Sequence, residues 1–386
     1  MLPPSTDASL TTEPVEAYRA RAREWLKAEL SCEAGAPPSG RAWQRRLYDG
    51  GWVGIHWPRQ YGGQGLTMAH TIAFTQELVR ARAPQPVGAI GLEVVGPTIL
   101  RYGSDELRER FLERLLAGEE LWCQGFSEPD AGSDLSSLRT TALEDRDDLV
   151  LNGQKIWTSW ATDADWCAVL ARMDPDAHAH RAIGYLLVDM HSPGVTVREI
   201  TQLTGEREFC EIFFADVHVP RSQILGGPGE GWTMAMDTLG HERAGYAIRR
   251  GMENRTAFLD LIDVVRGCDS ELSAAHAKAL GELYVRLEVF DANVEVTVER
   301  LTNGDVPSPH DSVDKLLLTE TEQFLYETAT DLLGALRVVP DASSIPDAEV
   351  WTKGLLYGRA ASVYGGSSQI QRSIIAERLL GLPKAR

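Results

Sequence analysis

Three short stretches combine residues that could bind a polar ring or a phosphate. Residues 124–134 read QGFSEPDAGSD, a glycine-containing loop whose serine hydroxyls and backbone N–H groups can point at a ligand. Residues 152–159 read NGQKIWTS, where the tryptophan can cover a flat ligand and the two hydroxyls can bond its edge. Residues 364–372 read YGGSSQIQR, a flexible gap before a helix that lets backbone N–H groups face a ligand. A solvated turn, a core tryptophan and a helix–helix turn are the plain alternatives, and composition does not separate them.

Composition describes a globular protein with an acidic surface. The chain has 386 residues, 43% of them hydrophobic and 24% charged, enough for two or three domains with their own cores. The net charge of −18 argues against nucleic acids and acidic membranes as partners. An anionic small ligand stays possible, because a local basic patch can override the overall charge.

Cysteine usage predicts a reducing compartment. The cysteines are five in number and contain no Cys-x-x-Cys pair, so neither a disulfide framework nor a metal site is expected. They are Cys32, Cys123, Cys167, Cys210 and Cys268. No apolar run approaches the roughly 20 residues of a membrane span, and the first residues lack the features of a signal peptide. We therefore expect a cytoplasmic protein without a membrane segment.

The period of the apolar residues changes twice along the chain and predicts an α+β fold of three domains. Residues 1–120 are predicted to be helical, with Val15, Tyr18, Ala22, Trp25 and Leu26 on one helix face and a further helix over Asp105–Leu116. Residues 229–386 return to long helices and predict a helical bundle. Its expected core stripes are Leu283, Leu287, Phe290, Val294, Val298 and Leu301, and then Leu317, Phe324, Thr328, Leu332 and Leu336.

Residues 121–228 have the pattern of a compact antiparallel β domain, a barrel or a sandwich. Short apolar runs at 167–171, 183–188, 195–200 and 211–219 are separated by turn residues. The run 149–151 is followed by Asn-Gly, a strong signal for a hairpin turn.

The three motifs, in this order and with a β domain between two helical ones, resemble the acyl-CoA dehydrogenase family of flavoproteins. The residues that carry the resemblance are SEPDAGSD, NGQKIWTS and GGSSQIQR, supported by YGGQG at 61–65 and VHVP at 217–220. The similarity covers nearly the whole chain. It implies an acyl-CoA dehydrogenase-like fold with an N-terminal helical domain, a central β domain and a C-terminal four-helix bundle.

The resemblance also implies an FAD enzyme that acts on an acyl thioester of CoA or of an acyl-carrier protein. Such an enzyme removes a proton from the α-carbon and passes a hydride from the β-carbon to flavin N5, with an electron-transferring flavoprotein as acceptor. Ser133 would lie beside both flavin and substrate, and Gly365 would donate its N–H to the thioester oxygen. The implied flavin contacts are Gln124, Gly125, Phe126, Ser127, Ser133, Trp157, Thr158, Ser159, Gly366, Ser367, Ser368 and Gln369.

The catalytic base departs from the pattern of most family members. The residue after the tyrosine of the third motif is usually the catalytic glutamate, but here it is Gly365, which cannot accept a proton. Some members place the base on a neighbouring helix, at the position that matches Glu242 in the sequence GHER. We therefore predict Glu242 as the base, with a pKa raised by burial beside the flavin. Arg243 is a candidate contact for CoA, and a solvated Glu-Arg pair is the structural alternative.

The cofactor contacts between subunits also depart from the family. The usual Arg-x-x-Phe-Gly motif is absent, and Arg266 is the candidate nearest to its place. A glutamine that normally reaches the partner's cofactor matches Asp331, whose charge is unfavourable beside a pyrophosphate. Some actinobacterial relatives with the Gly-Gly variant form α2β2 heterotetramers, so both a homo-oligomer (a dimer or tetramer) and a hetero-oligomer are expected possibilities.

Three functions fit these residues. The first is dehydrogenation of a branched, cyclic or otherwise bulky acyl thioester, with Glu242 as base. The second is a flavin monooxygenase on the same fold, which needs no carboxylate at Glu242. The third is a non-catalytic partner subunit, which the departures at Arg266 and Asp331 favour and the intact first two motifs oppose.

Overall fold

The computed structural model describes residues 13–31, 39–174, 176–177, 180–227, 229–267, 272–305, 308–334 and 348–384, without the side chains of 241–244. Cys32, Cys268 and Leu336 fall outside these ranges. The chain divides into two compact units, Met1–His241 and Glu242–Arg386.

The first unit begins with helices that pack around aromatic side chains. These helices are α1 (Val15–Leu30), α2 (Gly40–Asp49), α3 (Met68–Arg80), α4 (Gly96–Tyr102) and α5 (Asp105–Leu116). In α1 the buried residues are Tyr18, Ala22 and Leu26, which confirms the face predicted from the apolar spacing. Trp43 of α2 is fully buried, and its ring stacks on that of Trp25 at 5.7 Å between centroids. Aromatic packing of this kind gives these helices a common core.

A sheet follows the helices. Its strands are β1 (Trp122–Gly125), β2 (Thr141–Asp145), β3 (Asp148–Ser159), β4 (Trp166–Arg172), β5 (Ile183–Asp189), β6 (Val195–Glu199), β7 (Phe209–Pro220) and β8 (Ile224–Leu225). They are ordered β6-β7-β3-β2-β4-β5-β8, with β1 paired to β4. The pairs β2–β3, β3–β7, β4–β5, β5–β8 and β6–β7 are antiparallel, as predicted, whereas β1 and β2 each pair with β4 in parallel. The sheet thereby brings β1 and β3, which carry the first two motifs, into one domain.

The hairpin predicted at Asn152-Gly153 is wrong. Both residues lie inside β3, and the chain turns instead around Arg146, whose φ is +57°. The side chain of Asn152 donates to the Asp216 carboxylate at 3.0 Å and accepts from the Asp216 N–H at 2.9 Å. A Cβ on Gly153 would lie 2.4 Å from Thr140 Oγ1, so only glycine fits there. The Asn-Gly pair therefore marks a β-bulge with a close backbone approach, which uses the same residue types as a turn.

The second unit is helical. Its helices are α6 (Gly231–Gly267, which begins before residue 242), α7 (Ala274–Thr302), α8 (Asp311–Leu332), α9 (Ala348–Tyr357) and α10 (Ser368–Ile374). In α7 the predicted stripe is confirmed at Leu283, Leu287 and Phe290, which are buried. Although α6 has 37 residues, none of the helices within the described ranges combines the length and apolar character of a membrane span.

The stripe predicted for α8 is displaced by one residue except at Thr328, which is buried as predicted. Leu318 and Leu325 are buried, whereas Leu317 and Phe324 are only partly buried. The cause is a set of polar residues on the buried face, among them Asp314, Lys315 and Glu322. A prediction that assigns charged residues to the solvent therefore selects a neighbouring face of the helix as the buried one.

Candidate active site

The loop between β1 and β2, which contains most of the first motif, is held by one buried carboxylate. Glu128 accepts hydrogen bonds from the backbone N–H groups of Arg139 at 2.6 Å and Thr140 at 2.9 Å. Its third donor is Lys155 Nζ, at 2.7 Å, and the same ammonium donates to the Phe126 carbonyl at 3.1 Å. Since Lys155 belongs to the second motif, these bonds tie the two motifs together.

This anchor is an ion pair inside the domain. Glu128 is 8% exposed and Lys155 is fully buried. Burial alone would raise the pKa of Glu128, but the Lys155 charge and the donated hydrogen bonds bring that pKa below its usual value. Burial lowers the pKa of Lys155, and the attraction of Glu128 opposes this shift. A buried carboxylate that accepts three hydrogen bonds, one of them from a cation, can hold a loop in place in a low-dielectric interior.

A β-bulge in β3 turns Trp157 toward solvent. The pairing with β7 shifts register between Lys155 and Thr158, and Trp157 between them has φ +61°. The indole is 59% exposed and meets the ring of Phe209 edge to face, with centroids 6.2 Å apart. A left-handed conformation at a tryptophan is strained, and such strain concentrates at functional sites. The alternative that Trp157 belongs to the β core is therefore excluded.

Next to the exposed indole lies a hydroxyl without a partner. Thr158 is fully buried, and within the described residues its Oγ1 has no hydrogen-bond partner. The preceding Ile156 N–H donates to the Ser127 carbonyl at 3.0 Å, so the edge of the bulge lies against the first motif. Ser127 and Ser159 are partly buried. Buried hydroxyls are normally hydrogen-bonded, so the Thr158 hydroxyl keeps the capacity to bond a further group.

The remaining predicted contacts of the first motif differ in accessibility. Gln124 is partly buried and Gly125 is buried at the end of β1. Phe126 is buried against Tyr185, with ring centroids 5.7 Å apart, so it acts through its backbone rather than its ring. Ser133 is exposed, at the tip of the loop. Together with the bulge, these residues fit a flat heteroaromatic cofactor: one exposed indole, one orphan hydroxyl and a fixed loop with polar backbone.

In the second unit, the Gly-Gly turn of the third motif has its own anchor. Gly365 and Gly366 have φ values of +62° and +87°, which favour glycine. Gln371 Nε2 donates to the carbonyls of Gly365 at 2.8 Å and Gly366 at 3.2 Å. Ser367 caps α10 by accepting the Ile370 N–H at 3.3 Å. Of the other predicted contacts in this motif, Ser368 is partly buried and Gln369 is exposed.

A polar cluster that the motifs did not reveal lies beside this turn. The hydroxyls of Tyr246 and Tyr364 are hydrogen-bonded to each other. One helical turn after Tyr246, Arg250 binds both oxygens of Glu322, at 2.8 and 3.1 Å. Lys315 Nζ lies 4.7 Å from the ring centroid of Tyr364. The signal for this cluster is the four-residue spacing of Tyr246 and Arg250, which puts them on one face of α6.

Three predicted residues have less structural support. Glu242 lies in α6, but its side chain and that of Arg243 are outside the described residues. Arg266 is exposed and lies 3.7 Å from the Asp263 carboxylate, and Asp331 lies 3.5 Å from His276. The roles of Glu242, Arg243 and Arg266, like those of the other predicted site residues, stay predictions.

Three family models match the chain in sequence order. Residues 12–119 match the acyl-CoA dehydrogenase N-terminal domain, residues 123–217 the middle domain, and residues 229–380 the C-terminal domain. The three matches cover more than half of the chain and follow the helical, β and helical order described above.

Relatives and solved structures agree with these models. The chain is 38% identical over 388 residues to the acyl-CoA dehydrogenase IpdE1 of Mycobacterium tuberculosis, covering 96% of this chain and 99% of the relative. It is 36% identical over 394 residues to IpdE1 of Mycolicibacterium smegmatis, with coverages of 96% and 98%. Among solved structures, the Tcur3481-Tcur3483 steroid ACAD is similar with a TM-score of 0.86 at 27% identity, covering 97% of this chain and 99% of the other. The ChsE4-ChsE5 complex of Mycobacterium tuberculosis gives a TM-score of 0.83 at 28% identity, with coverages of 97% and 100%. The chain belongs to the acyl-CoA dehydrogenase family, a family of flavin-dependent oxidoreductases that act on CH–CH groups.

Proposed function

We propose that this chain catalyses the α,β-dehydrogenation of an acyl thioester with FAD as cofactor. The observation that carries the proposal is the bulge of β3, where an exposed Trp157 lies next to the partnerless, buried hydroxyl of Thr158. A flat ring system with hydrogen-bonding edge atoms satisfies both groups at once. Family membership makes a flavin the ring system of choice.

The chain's own residues would hold the cofactor from the first motif and the bulge. When bound, FAD supplies the hydride acceptor. Trp157 covers part of the ring, Thr158 and Ser159 bond its edge, and the loop at 124–134 contributes backbone N–H groups, with Ser133 next to the substrate. Gly366, Ser367, Ser368 and Gln369, with Arg266, are proposed to complete the cofactor contacts. This assignment needs a loop that does not move on binding, which the Lys155–Glu128 ion pair provides.

The proton chemistry is assigned to Glu242 and Gly365. The backbone at Gly365 has φ +62°, a conformation suited to glycine, and the residue has no side chain that could accept a proton. Its N–H polarises the thioester carbonyl, which makes the α-proton more acidic. Glu242, on α6, then takes that proton, and Arg243 contacts the CoA moiety. A carboxylate desolvated by the acyl group becomes a stronger base at the moment it is needed.

The test is anaerobic reduction of the purified flavoprotein by a panel of acyl-CoAs, followed by the same assay on Glu242→Gln. We expect flavin bleaching by the parent protein and none by the variant, with the flavin absorbance of the resting variant unchanged. Glu242→Asp should retain a slowed reaction, because it keeps a carboxylate. Glu349→Gln, which removes an exposed carboxylate from α9, is the matched control and should react like the parent.

Other outcomes of this assay support the alternatives. Full activity of Glu242→Gln removes this glutamate from the mechanism. Reductase-dependent oxygen uptake coupled to hydroxylation of a product supports a monooxygenase. A colourless protein that gains FAD only when it is produced with a homologue supports a non-catalytic partner subunit.

We propose a bulky, cyclic acyl thioester as the substrate. The support is the missing glutamate at Gly365, with the base relocated to another helix, together with a similar solved structure that is named a steroid ACAD. Thioesters of CoA and of an acyl-carrier protein are both compatible with these residues. An electron-transferring flavoprotein is the proposed electron acceptor. The cytoplasmic placement also stays a proposal, supported by the free thiols of Cys123, Cys167 and Cys210.

We further propose that the chain assembles with a homologous but different chain. An exposed apolar stripe on α7 consists of Val285, Val289 and Val296, which are 58%, 51% and 56% exposed. Glu295 and Glu299 flank this stripe, so a second identical copy would oppose like charges there. A similar solved structure is a complex of two named chains, ChsE4 and ChsE5. Sedimentation of the chain alone tests this: a stable homo-tetramer, unaffected by Val289→Glu, contradicts the proposal.

A further inference from the structure

The hydroxyl pair of Tyr246 and Tyr364 has one more donor than its own hydrogen bond uses. The two rings meet edge to face, with centroids 5.6 Å apart at an angle of 83°. Each hydroxyl has a single O–H, so one proton lies in the shared bond and the other is left to donate elsewhere. In the described ranges, the hydrogen bonding of both hydroxyls consists of this one contact.

Both phenols keep their protons at neutral pH. Burial raises the pKa of Tyr246 to about 12, although the nearby charge of Arg250 opposes the shift. Burial, with the neighbouring Tyr246 and Glu322, raises the pKa of Tyr364 well above its usual value. The pair is therefore a true donor of one hydrogen bond, not a phenolate that shares its only proton.

The position of the pair places this donor next to the proposed reaction centre. Tyr364 directly precedes Gly365, and Tyr246 lies four residues after Glu242 in α6. Both tyrosines are partly buried. The described residues supply no acceptor for the remaining O–H, so its partner in the free protein is water. An acyl group that displaces this water leaves the donor unsatisfied unless the acyl group itself carries an acceptor.

We propose that the Tyr246–Tyr364 pair binds a neutral oxygen, a ketone or a hydroxyl, carried by the acyl group of the substrate. This inference rests on the proposed dehydrogenase function and adds to it a class of substrate.

The cations near the pair are engaged within the protein, which is why the oxygen is assigned as neutral. Arg250 donates to both oxygens of Glu322 and to Glu253 at 2.9 Å. Arg249, whose guanidinium lies 5.6 Å from the ring centroid of Tyr246, donates to Glu253 at 3.2 Å. Lys315 donates to the Ala361 carbonyl at 2.6 Å and to Thr319 Oγ1 at 3.2 Å. A carboxylate on the acyl group would have to compete with these partners, whereas a ketone or hydroxyl oxygen needs only the one O–H.

The experiment compares cyclohexylpropanoyl-CoA with its ring-oxo derivatives, a set of positional isomers in each of which one ring CH2 is replaced by C=O. Two readouts are used: the kcat/KM of flavin reduction, and the Kd of the corresponding enoyl-CoA products by calorimetry. Leaving a buried donor without an acceptor lowers affinity by about tenfold or more. We expect at least one oxo isomer to exceed the hydrocarbon by about this factor in both readouts.

The double variant Tyr246→Phe/Tyr364→Phe removes both O–H groups and keeps both rings. It should lose the preference for the oxo isomer and treat the hydrocarbon as well as, or better than, the parent does. The single variants show which hydroxyl contacts the ligand: the one whose removal alone abolishes the preference. Tyr326→Phe, a buried tyrosine of the same unit whose ring neighbours Trp351, is the matched control and should keep the preference.

Two results overturn the proposal: equal treatment of all isomers by the parent, or an unchanged preference in a folded double variant. The calorimetric arm separates this inference from the dehydrogenase function. If no CoA ester reduces the flavin while the oxo products still bind better through the tyrosines, the proposed reaction fails and the oxygen site stands. If the flavin is reduced without discrimination, the oxygen site fails and the reaction stands.

Discussion

Replacing Lys155 with methionine tests the anchor of the cofactor loop directly. Methionine keeps most of the volume of the buried stem but removes the ammonium that lies 2.7 Å from Glu128. The carboxylate then keeps only its two backbone donors, at Arg139 and Thr140, and stays in a site where it is 8% exposed. Removing one partner of a buried ion pair costs about 3–5 kcal/mol. Because two donors remain, we expect the lower end, about 3 kcal/mol of unfolding free energy at pH 7.

The pH dependence of this loss identifies its cause. In the parent protein the pKa of Glu128 is below its usual value, because the Lys155 charge and three donors outweigh burial. That depressed pKa stabilises the fold above the unfolded pKa of about 4.3, and the contribution is lost as the pH falls through the folded pKa. Without Lys155, burial dominates and the folded pKa of Glu128 rises above the unfolded one. Proton uptake then favours the folded variant, so the difference between variant and parent should shrink as the pH falls from 7 toward 5.

Urea unfolding of the apoprotein at pH 7 and pH 5, followed by tryptophan fluorescence, measures both effects. Lys155→Met/Glu128→Gln should recover part of the loss at pH 7, since no buried charge is left. The control is Arg221→Met, which removes the partner of Glu144 at 2.9 Å in an exposed pair and should leave the midpoint unchanged. A Lys155→Met midpoint equal to that of the control, or a loss that is the same at both pH values, refutes the reasoning. FAD retention on gel filtration should fall in the single variant Lys155→Met and should not fall in the control Arg221→Met.

Three further substitutions test individual buried polar groups. Thr158→Val should leave the apoprotein as stable as the parent or more so, because it deletes a partnerless hydroxyl, and should weaken FAD binding by about fivefold in a fluorescence titration; unchanged FAD affinity contradicts the cofactor assignment. Asn254→Leu should raise the unfolding free energy by about 1–2 kcal/mol, since both amide atoms of this 1%-exposed residue lack partners within the described ranges; a marked loss would reveal an unseen ligand or subunit contact. Burial, with the nearby Asp311, raises the pKa of Asp314 to about 6, so the folded protein binds more protons than the unfolded chain between about pH 4 and 6. Parent stability should therefore contain a term that falls as the pH rises through this window, and Asp314→Asn should lack that term in unfolding measured at each pH.

The order of helical and β domains could be predicted from the sequence because apolar residues recur at different intervals in helices and strands. The helix predicted over Asp105–Leu116 is observed with these bounds as α5, and the apolar spacing in α1 predicted its buried face. Short apolar runs between turn residues located β4 to β7. These predictions succeed because each helix or strand buries one continuous face, and that face sets the spacing of the apolar residues in the sequence.

The errors arose where polar residues are buried or where glycine has a steric role. Asn152-Gly153 has the composition of a turn but serves as a bulge, since the close contact with Thr140 depends on distant pairing. The α8 stripe was displaced because Lys315 and Glu322 are buried through partners in other helices. No local window contains those partners, so composition assigns such residues to the surface.

The candidate cofactor residues were predicted from motif resemblance, whereas the residues that support them in the structure were not. Trp157 and Thr158 are recognisable by type, but the strained backbone that exposes one and buries the other is set by pairing with β7. Lys155 lies within the motif, yet its role depends on Glu128, 27 residues earlier. Spatial proximity of this kind is invisible without the fold.

The two backbone segments proposed to face ligands, the bulge at Trp157 and the turn at Gly365 and Gly366, are fixed in the same way. Each has residues in the left-handed region, Trp157 in the bulge and Gly365 with Gly366 in the turn. Each also has a buried side chain that satisfies carbonyls beside the irregular segment: Lys155 donates to Phe126, and Gln371 donates to both glycines. An irregular backbone is costly unless neighbouring groups fix it, and fixing it beforehand lowers the cost of binding. Substitutions at these anchors should therefore weaken ligand binding as strongly as substitutions at the contacts themselves, although neither anchor need touch the ligand.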